Sequence, residues 1–332
     1  SEVAVAATST AAKKYAYESD VTDPTPSADA PRNAIRNSTC NASGTAASLG
    51  DSTAIGTGAK ATGQDSTAVG GQTSATATNT LAIGNNGTSA TAQGATAFGV
   101  GAKASGQNSL AAGNGTTASS TGSIAIGSNA SGVANSAATD GIAIGGQSNV
   151  AAAATSGIAV GRGAVVNSVS GIAQGDGANV AASSNGGVAI GASSKVSGTN
   201  TVAIASGANA SGASATAIGN NANAAAASAV AVGSGAAGLG NSSVAVGNTA
   251  LARADGSIAI GKNAAIGSNT DVNSVAIGTN ANSWGGSIAL GTGASADQFG
   301  VSAQNAGIAI GGNAATDDRS TRSIAIGNGA SV

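Results

Sequence analysis

The stretch Asn273-Ser274-Val275-Ala276-Ile277-Gly278 carries the pattern that decides the fold. A small polar residue, an aliphatic residue, Ala, a second aliphatic residue and Gly follow one another, so large and small side chains alternate with the period of a β-strand. The β-branched Val and Ile favour a strand over a helix, and the final Gly is typical of a turn. The stretch therefore predicts a short strand with one small face and one aliphatic face.

Copies of this motif recur along the chain at a nearly constant interval. Nineteen copies are present, and ten of the eighteen spacings between consecutive copies are 14 residues, while the others range from 13 to 20. The copies end at positions 56, 70, 84, 99, 113, 127, 145, 161, 175, 191, 205, 219, 233, 247, 261, 278, 291, 311 and 327. A fixed period with occasional insertions is typical of a solenoid whose extra residues form loops.

A weaker half-motif follows the motif Gly and completes the repeat. In Ala59-Lys60-Ala61-Thr62-Gly63 and Ala208-Asn209-Ala210-Ser211-Gly212, small apolar residues stand three and five positions after the motif ends. This alternation predicts a second strand, each strand being roughly five residues long. With a tight turn after each strand, one repeat forms one coil, and successive coils stack through parallel pairing. We predict an all-β fold, a parallel β-roll (β-solenoid) of about nineteen 14-residue coils over residues 46–332.

The composition is that of a repeat protein rather than of a conventional globular domain. The chain has 53 Gly, no Met, one Trp and two Phe, so a single large core is not expected. A disordered low-complexity chain and a solenoid with thin cores both fit this composition, and the regular phase of the motif favours the solenoid. The net charge of −2 and the absence of a basic block longer than Lys13-Lys14 predict no nucleic-acid partner.

The sequence offers little catalytic chemistry. It contains no His and a single Cys, which removes the Ser-His-Asp triad, the Cys-His nucleophile and most zinc sites. The Gly-x-Gly strings lack the lysine and the strand–helix context of a phosphate-binding loop. We predict that the chain is not an enzyme and uses no cofactor or metal.

The aliphatic face of the predicted strands requires a cover. Only small side chains fit inside a narrow coil, so Ile and Val point outward in two columns. Such columns exceed the apolar patch that a monomer usually exposes, and burying each side chain contributes roughly 1.5–3 kcal/mol. Identical parallel chains in register provide the simplest cover. The predicted interface residues are Ile124, Ile126, Ile142, Ile144, Ile258, Ile260, Val275, Ile277, Ile308, Ile310, Ile324 and Ile326.

Two residues, Gln174 and Ala112, interrupt one of the aliphatic columns. In an oligomer, Gln174 would lie close to the symmetry axis and form hydrogen bonds with its own copies. Alternatively, one polar coil among nineteen is simply tolerated.

The repeated Ser-Val/Ile-Ala-Ile-Gly followed by Ala-x-Ala-x-Gly resembles the head repeats of trimeric autotransporter adhesins, the YadA-like family of Gram-negative bacteria. The stretch 273–278 matches the family motif most fully, and the resemblance covers about residues 46–332. It implies a left-handed β-roll assembled as a homotrimer, on a stalk with a C-terminal outer-membrane barrel. It also implies a virulence-related head exposed at the cell surface, which attaches to host extracellular-matrix proteins or cell-surface receptors and self-associates.

Residues 1–45 do not fit the repeat, and we expect an irregular lead-in segment there. They contain Pro24, Pro26, Pro31 and Cys40, and no signal peptide is visible. Cys40 is interpreted as a free thiol, with a crosslink between chains of a trimer as the alternative. We expect the chain to be a segment of a longer protein, in which any membrane anchoring depends on a C-terminal region absent from this chain.

Ligand contacts are expected where the repeat is irregular or carries rare side chains. Trp284 and Phe299 stand in or beside irregular stretches, where they either anchor a partner or fill a gap in a widened coil. Lys60, Lys103 and Lys195 each lie four residues after a motif Gly, where they either face an acidic partner or are merely solvated. Two functions remain open at this point, a surface adhesin head and a structural spacer solenoid without a specific protein ligand.

Overall fold

The structure is a computed structural model that describes residues 46–47, 52–129, 131–296, 306–316 and 322–332. The chain divides into two compact units, Ser1–Gln147 and Ser148–Val332. The lead-in predicted for residues 1–45, with Cys40, and the candidate contact Phe299 lie outside the described residues, so the expectations about them stay predictions.

Strands of three and two residues alternate in both units, apart from an inserted two-stranded hairpin in the first. The strands of the first unit are β1 (Ala46–Ala47), β2 (Thr53–Ile55), β3 (Lys60–Ala61), β4 (Thr67–Val69), β5 (Ser74–Ala75), β6 (Leu81–Ile83), β7 (Ser89–Ala90), β8 (Thr96–Phe98), β9 (Lys103–Ala104), β10 (Leu110–Ala112), β11 (Thr117–Ala118), β12 (Ile124–Ile126), β13 (Ser128–Asn129), β14 (Gly132–Val133), β15 (Asn135–Ser136) and β16 (Ile142–Ile144).

The second unit continues the alternation without an inserted hairpin. Its strands are β17 (Asn149–Val150), β18 (Ile158–Val160), β19 (Val165–Val166), β20 (Ile172–Gln174), β21 (Asn179–Val180), β22 (Val188–Ile190), β23 (Lys195–Val196), β24 (Val202–Ile204), β25 (Asn209–Ala210), β26 (Thr216–Ile218), β27 (Asn223–Ala224), β28 (Val230–Val232), β29 (Ala237–Gly238), β30 (Val244–Val246), β31 (Leu251–Ala252), β32 (Ile258–Ile260), β33 (Ala265–Ile266), β34 (Val275–Ile277), β35 (Asn282–Ser283), β36 (Ile288–Leu290), β37 (Ser295–Ala296), β38 (Ile308–Ile310), β39 (Ala315–Thr316) and β40 (Ile324–Ile326).

Within each unit, the coils stack through parallel pairing in sequence order. Three-residue strands pair with three-residue strands and two-residue strands with two-residue strands, as in Ala54 opposite Ala68 and Ala245 opposite Ala259. Motif copies therefore lie directly above one another, because each motif position meets the same position of the next coil. The described residues contain nineteen coils and no helix, so the predicted parallel β-solenoid is confirmed. The strands are shorter than the predicted five residues, because the residues at their ends belong to the turns.

The motif Gly adopts a backbone conformation that other residues avoid. At Gly219 φ is +135°, and a Cβ there would lie 2.4 Å from the carbonyl oxygen of Gly233 in the next coil. Positive φ and close backbone approach both select Gly. Ala205 occupies one of these positions with φ at 104°, an uncommon conformation for a residue with a side chain.

The interior of each coil is a thin layer of small side chains. The middle residue of every three-residue strand is Ala, and it is fully buried in both units, apart from Ala325, which is 2% exposed. Several buried hydroxyls are satisfied locally, since Ser66 donates to the Gly63 carbonyl at 2.6 Å and Ser257 donates to the Ala254 carbonyl at 2.6 Å. Five other buried hydroxyls have no hydrogen-bond partner within the described residues, those of Ser52, Ser136, Ser168, Ser243 and Ser295. In the three-residue strands, small residues point inward and Ile and Val outward, as predicted. The expectation that only small side chains fit inside the coil is wrong for the two-residue strands, some of which bury Val or Ile.

In the second unit, several two-residue strands bury a side chain larger than Ala. Val150, Val166, Val180, Val196 and Ile266 are its largest aliphatic side chains that are fully buried, in a strand position usually held by Ala.

Where the buried residue is Val, Gly can stand beside it, at the position directly before the neighbouring three-residue strand. A Cβ at Gly171 would lie 2.8 Å from a methyl of both Val166 and Val180, and a Cβ at Gly187 would lie 2.8 Å from a methyl of Val196. The summed volume of neighbouring interior side chains therefore stays similar, although the individual residues differ in size.

The inserted hairpin after Gly127 leaves the coil itself unchanged. In the first unit, the antiparallel hairpin β13–β14 pairs Ser128 with Val133. The amide of Ala134 then donates to the Gly127 carbonyl at 2.9 Å, as the amide of Ala59 donates to Gly56 at 3.1 Å in a regular coil. Because the same bond closes both loops, the inserted residues extend from a turn without disturbing the strands.

Candidate functional site

One surface of each unit is built from the outward side chains of the three-residue strands, and we call it the aliphatic face. In the second unit it has two columns, one running from Ile158 to Ile324 and the other from Val160 to Ile326, with one residue of each column per coil. In the first unit the columns run from Thr53 to Ile142 and from Ile55 to Ile144.

The side chains of the aliphatic face are only partly covered by their own chain. Phe98 is 58% exposed, Ile324 59% and Ile326 68%, while most of the others are half-buried. Every residue predicted for the interface lies on this face: Ile124, Ile126, Ile142 and Ile144 in the first unit, and Ile258, Ile260, Val275, Ile277, Ile308, Ile310, Ile324 and Ile326 in the second. Their contact with a second chain stays a prediction.

The opposite surface is formed by the first residues of the two-residue strands that pair in parallel, and we call it the second-strand face. Its outward residues in the second unit include Asn149, Asn179, Asn209 and Asn223, and the Asn209 side-chain amide donates to the Asn223 side-chain oxygen at 2.9 Å. This face is mainly polar, so the two faces of a coil differ in their affinity for water.

The three lysines proposed as ligand contacts lie on the second-strand face and are exposed. Lys60 and Lys103 belong to β3 and β9 of the first unit, and Lys195 belongs to β23 of the second. None of the three forms an ion pair within the described residues, where the one ion pair joins Arg162 to Asp176. The structure does not bring these lysines together into one cluster, since Ser74 and Ser89 separate Lys60 from Lys103.

Trp284 lies at the turn that follows the two-residue strand, where its indole rests on the backbone of the preceding coil. A Cβ at Gly267 would be 1.6 Å from the indole nitrogen, so only Gly permits this contact. From the coil before that, the Arg253 guanidinium donates to the carbonyls of Ile266 and Gly267 at 3.1 Å each. Arg253 and Trp284 therefore both contact Gly267, and we call this group the Trp284 edge.

The Trp284 edge combines both interpretations that the sequence left open. One side of the half-buried indole packs on Gly267, as a gap-filling residue does, while part of the ring remains accessible. Sequence reasoning missed Arg253 and Gly267. Their position in the repeat could have revealed them. Four residues stand six positions after a motif Gly and so occupy one column in successive coils, namely Leu239, Arg253, Gly267 and Trp284. Leu239, the first of them, is 39% exposed.

Two kinds of feature are absent from the described ranges. No group of three or more Cys, Asp or Glu side chains is arranged there to hold a metal ion. Nor does that part of the chain contain a helix with the length and apolar character needed to cross a membrane.

Comparison with known families identifies the repeats. A family model described as "YadA head domain repeat (2 copies)" matches residues 50–71, 61–86, 90–116, 104–130, 182–204, 210–236, 239–264 and 270–294. These stretches together cover more than half of the chain and lie in both units. No curated protein matches the sequence.

Proposed function

The chain belongs to the family of YadA head domain repeats, and we propose from this premise that it is the adhesive head of a trimeric surface protein of a Gram-negative bacterium. In this proposal the head is left-handed, stands outside the outer membrane, and binds host extracellular-matrix proteins or cell-surface receptors. It also associates with heads on neighbouring cells. The observation that carries the proposal is repetition, because each coil presents the same shallow surface as the coil before it. Weak contacts repeated along a molecule give avidity without a deep pocket.

The difference between the two faces supports assembly into an oligomer. Ile and Val occupy most positions of the aliphatic face, whereas Asn, Lys, Ser and Thr occupy most positions of the second-strand face. A contiguous aliphatic surface of this kind is typical of a protein–protein interface. We propose that three parallel chains bury it, and the number three comes from the family.

With the aliphatic face buried, the second-strand face and the turns remain for a receptor. The Trp284 edge is the strongest contact candidate on them, because Trp and Arg carry much of the binding energy in protein interfaces. The indole packs on Gly267 and the Arg253 guanidinium is hydrogen-bonded to the Gly267 carbonyl, so both side chains are held in place before a partner arrives. Lys60, Lys103 and Lys195 are proposed as weaker contacts to acidic groups, and Phe299 remains a proposed contact from its sequence alone.

The proposal is tested by binding to immobilised collagen, laminin and fibronectin. We expect saturable binding of the parent protein to at least one of them and a loss of about tenfold in affinity for Trp284→Ala, the effect of one well-placed interface anchor. Val100→Ala, which shortens a 40%-exposed side chain of the first unit, serves as the matched control and should bind like the parent. Far-ultraviolet circular dichroism of each variant shows whether the fold is retained.

Two outcomes would contradict parts of this proposal. A folded trimer that binds none of the three proteins and no host cells would support the structural spacer instead. Undiminished binding of a folded Trp284→Ala variant would remove the Trp284 edge from the contact surface.

A further inference from the structure

The aliphatic face of the second unit is nearly uniform, with one clear interruption. The column from Val160 to Ile326 contains Gln174 directly between Val160 and Ile190. The Gln174 side chain is exposed, and within the described residues its carboxamide has no hydrogen-bond partner. Thr216, in the other column, is the remaining polar residue of this face, and it has a methyl group and a single hydroxyl.

Uniformity creates an ambiguity for any assembly through this face. Each coil presents the same pair of aliphatic side chains, so a chain displaced by one coil still meets Ile and Val along almost the whole unit. Burial of apolar surface is non-directional and scarcely distinguishes the two registers. A feature that distinguishes them must be a residue that suits one alignment only.

We propose that Gln174 fixes the axial register of the trimer. In register, the three carboxamides lie at one level, where each donates to and accepts from its copies. After a slip of one coil, the displaced carboxamide faces Val160 or Ile190 of its neighbours and is buried without partners. An unpaired buried amide is strongly disfavoured, whereas a paired one is tolerated. A single polar residue in an apolar seam selects register in other assemblies by the same physics.

Because a trimer is a closed ring, only a few misaligned arrangements of its chains are possible. Three chains in a ring cannot all be displaced in the same direction, because the displacements around the ring must sum to zero. The competing species is therefore a trimer in which one chain has slipped by one coil relative to the other two. This inference rests on the proposed trimer, and the experiment separates the two.

The experiment detects slipped chains by disulfide crosslinking. Chains with Ile190→Cys and chains with Ile204→Cys, both carrying Cys40→Ser, are coexpressed with different tags and oxidised. Ile190 and Ile204 are paired in adjacent coils, so the cysteines at these two positions lie about 4.8 Å closer along the axis in a slipped trimer than in register. The measured quantity is the ratio of the crosslink between positions 190 and 204 to the crosslink between two copies of position 190.

We expect this ratio to rise by about tenfold for Gln174→Ile, since one buried unpaired amide corresponds to at least that discrimination. Val160→Ile, an aliphatic exchange in the neighbouring coil, is the control and should leave the ratio unchanged. The double variant Gln174→Ile/Val232→Gln moves the carboxamide to another coil of the same column and should restore the low ratio.

Sedimentation of the parent distinguishes the two possible failures. A parent with the mass of one 30.1 kDa chain would overturn the trimer and the register with it. A trimeric parent whose ratio does not respond to Gln174→Ile, or which forms neither crosslink, would overturn the role of Gln174 and leave the trimer standing.

Discussion

At Gly171, the side chains of neighbouring strands determine which residue fits. Gly171 has no side chain because methyl groups of Val166 and Val180 occupy the space from both sides. Most other coils place Ser, Thr or Ala at this position and Ala at the position of the two valines. The interior therefore accepts either arrangement as long as the total volume is the same.

This volume exchange predicts strong coupling between the three positions. Gly171→Ala in the parent should destabilise the fold by about 1–3 kcal/mol, because the new methyl group overpacks the coil. In a Val166→Ala/Val180→Ala background, the same change should cost much less, since it then fills a cavity. Urea unfolding at one fixed protein concentration measures both values. Equal costs in the two backgrounds would show that the three residues do not share a space.

Ala205 occupies the last position of the motif, where other coils have Gly with a positive φ. Its φ of 104° lies where Gly is favoured, and the corresponding position holds Gly in the neighbouring coils. We predict that Ala205→Gly stabilises the protein by about 1 kcal/mol, because relief of strain exceeds the entropy lost by Gly. The reverse change in the next coil, Gly219→Ala, should lower the melting temperature. A decrease for both variants would mean that Ala205 is not strained.

The strand pair of each coil depends on its turns, and the insertions show which turns accept extra residues. Hairpin β13–β14 extends from the turn after Gly127, yet Ala134 and Ser136 return to the interior in the usual places. The extra residues add backbone hydrogen bonds of their own and leave the ladder intact. A turn of this kind tolerates changes in length at small cost in free energy.

Removal of the hairpin is the test at this scale. Replacing residues 128–133 by the two residues Ser-Gly, the turn used at Ser234 and Gly235, should give a regular 14-residue coil. We predict a β-type circular dichroism spectrum and a melting temperature within a few degrees of the parent, since the bond from Ala134 to Gly127 closes the loop in either case. Loss of cooperative melting would show that the hairpin is part of the folding unit.

At the scale of the whole molecule, the half-exposed aliphatic columns form the proposed interface between chains. Ile260 is 36% exposed in the isolated chain, and Ala265 lies in the next strand of the same coil on the second-strand face. We predict that Ile260→Asp reduces the mass in solution from about three times 30.1 kDa toward one chain, because a carboxylate would be buried against aliphatic neighbours.

The matched control for this prediction is Ala265→Asp, which adds the same charge to the opposite face. It should retain the mass of the parent in analytical ultracentrifugation. If Ile260→Asp remains assembled while Ala265→Asp dissociates, the interface lies on the second-strand face and the proposed orientation of the chains is wrong.

Much of the fold was predictable from particular residues. The Val-Ala-Ile of β34 and its copies predicted which side chains point inward, because alternation in a strand is a local property. Ala59 and Ala61 predicted the second strand for the same reason. The Trp284 edge was only half predicted. Trp284 stood out as the one Trp of the chain. Arg253 and Gly267 could be recognised as its neighbours only once the stacking of three successive coils was known.

The sequence by itself determined the repeat, the coil, the parallel stacking and the division between a small inner face and an aliphatic outer face. The physical reason is that each motif meets its own copy about 14 residues later, so one local pattern specifies every pairing in the ladder. The tertiary structure decided where the coil departs from the pattern: the exchange of volume around Gly171, the strained backbone at Ala205 and the contact of Trp284 with Gly267. Those features depend on which residues occupy neighbouring coils, and the stacking of the coils sets the distances between them.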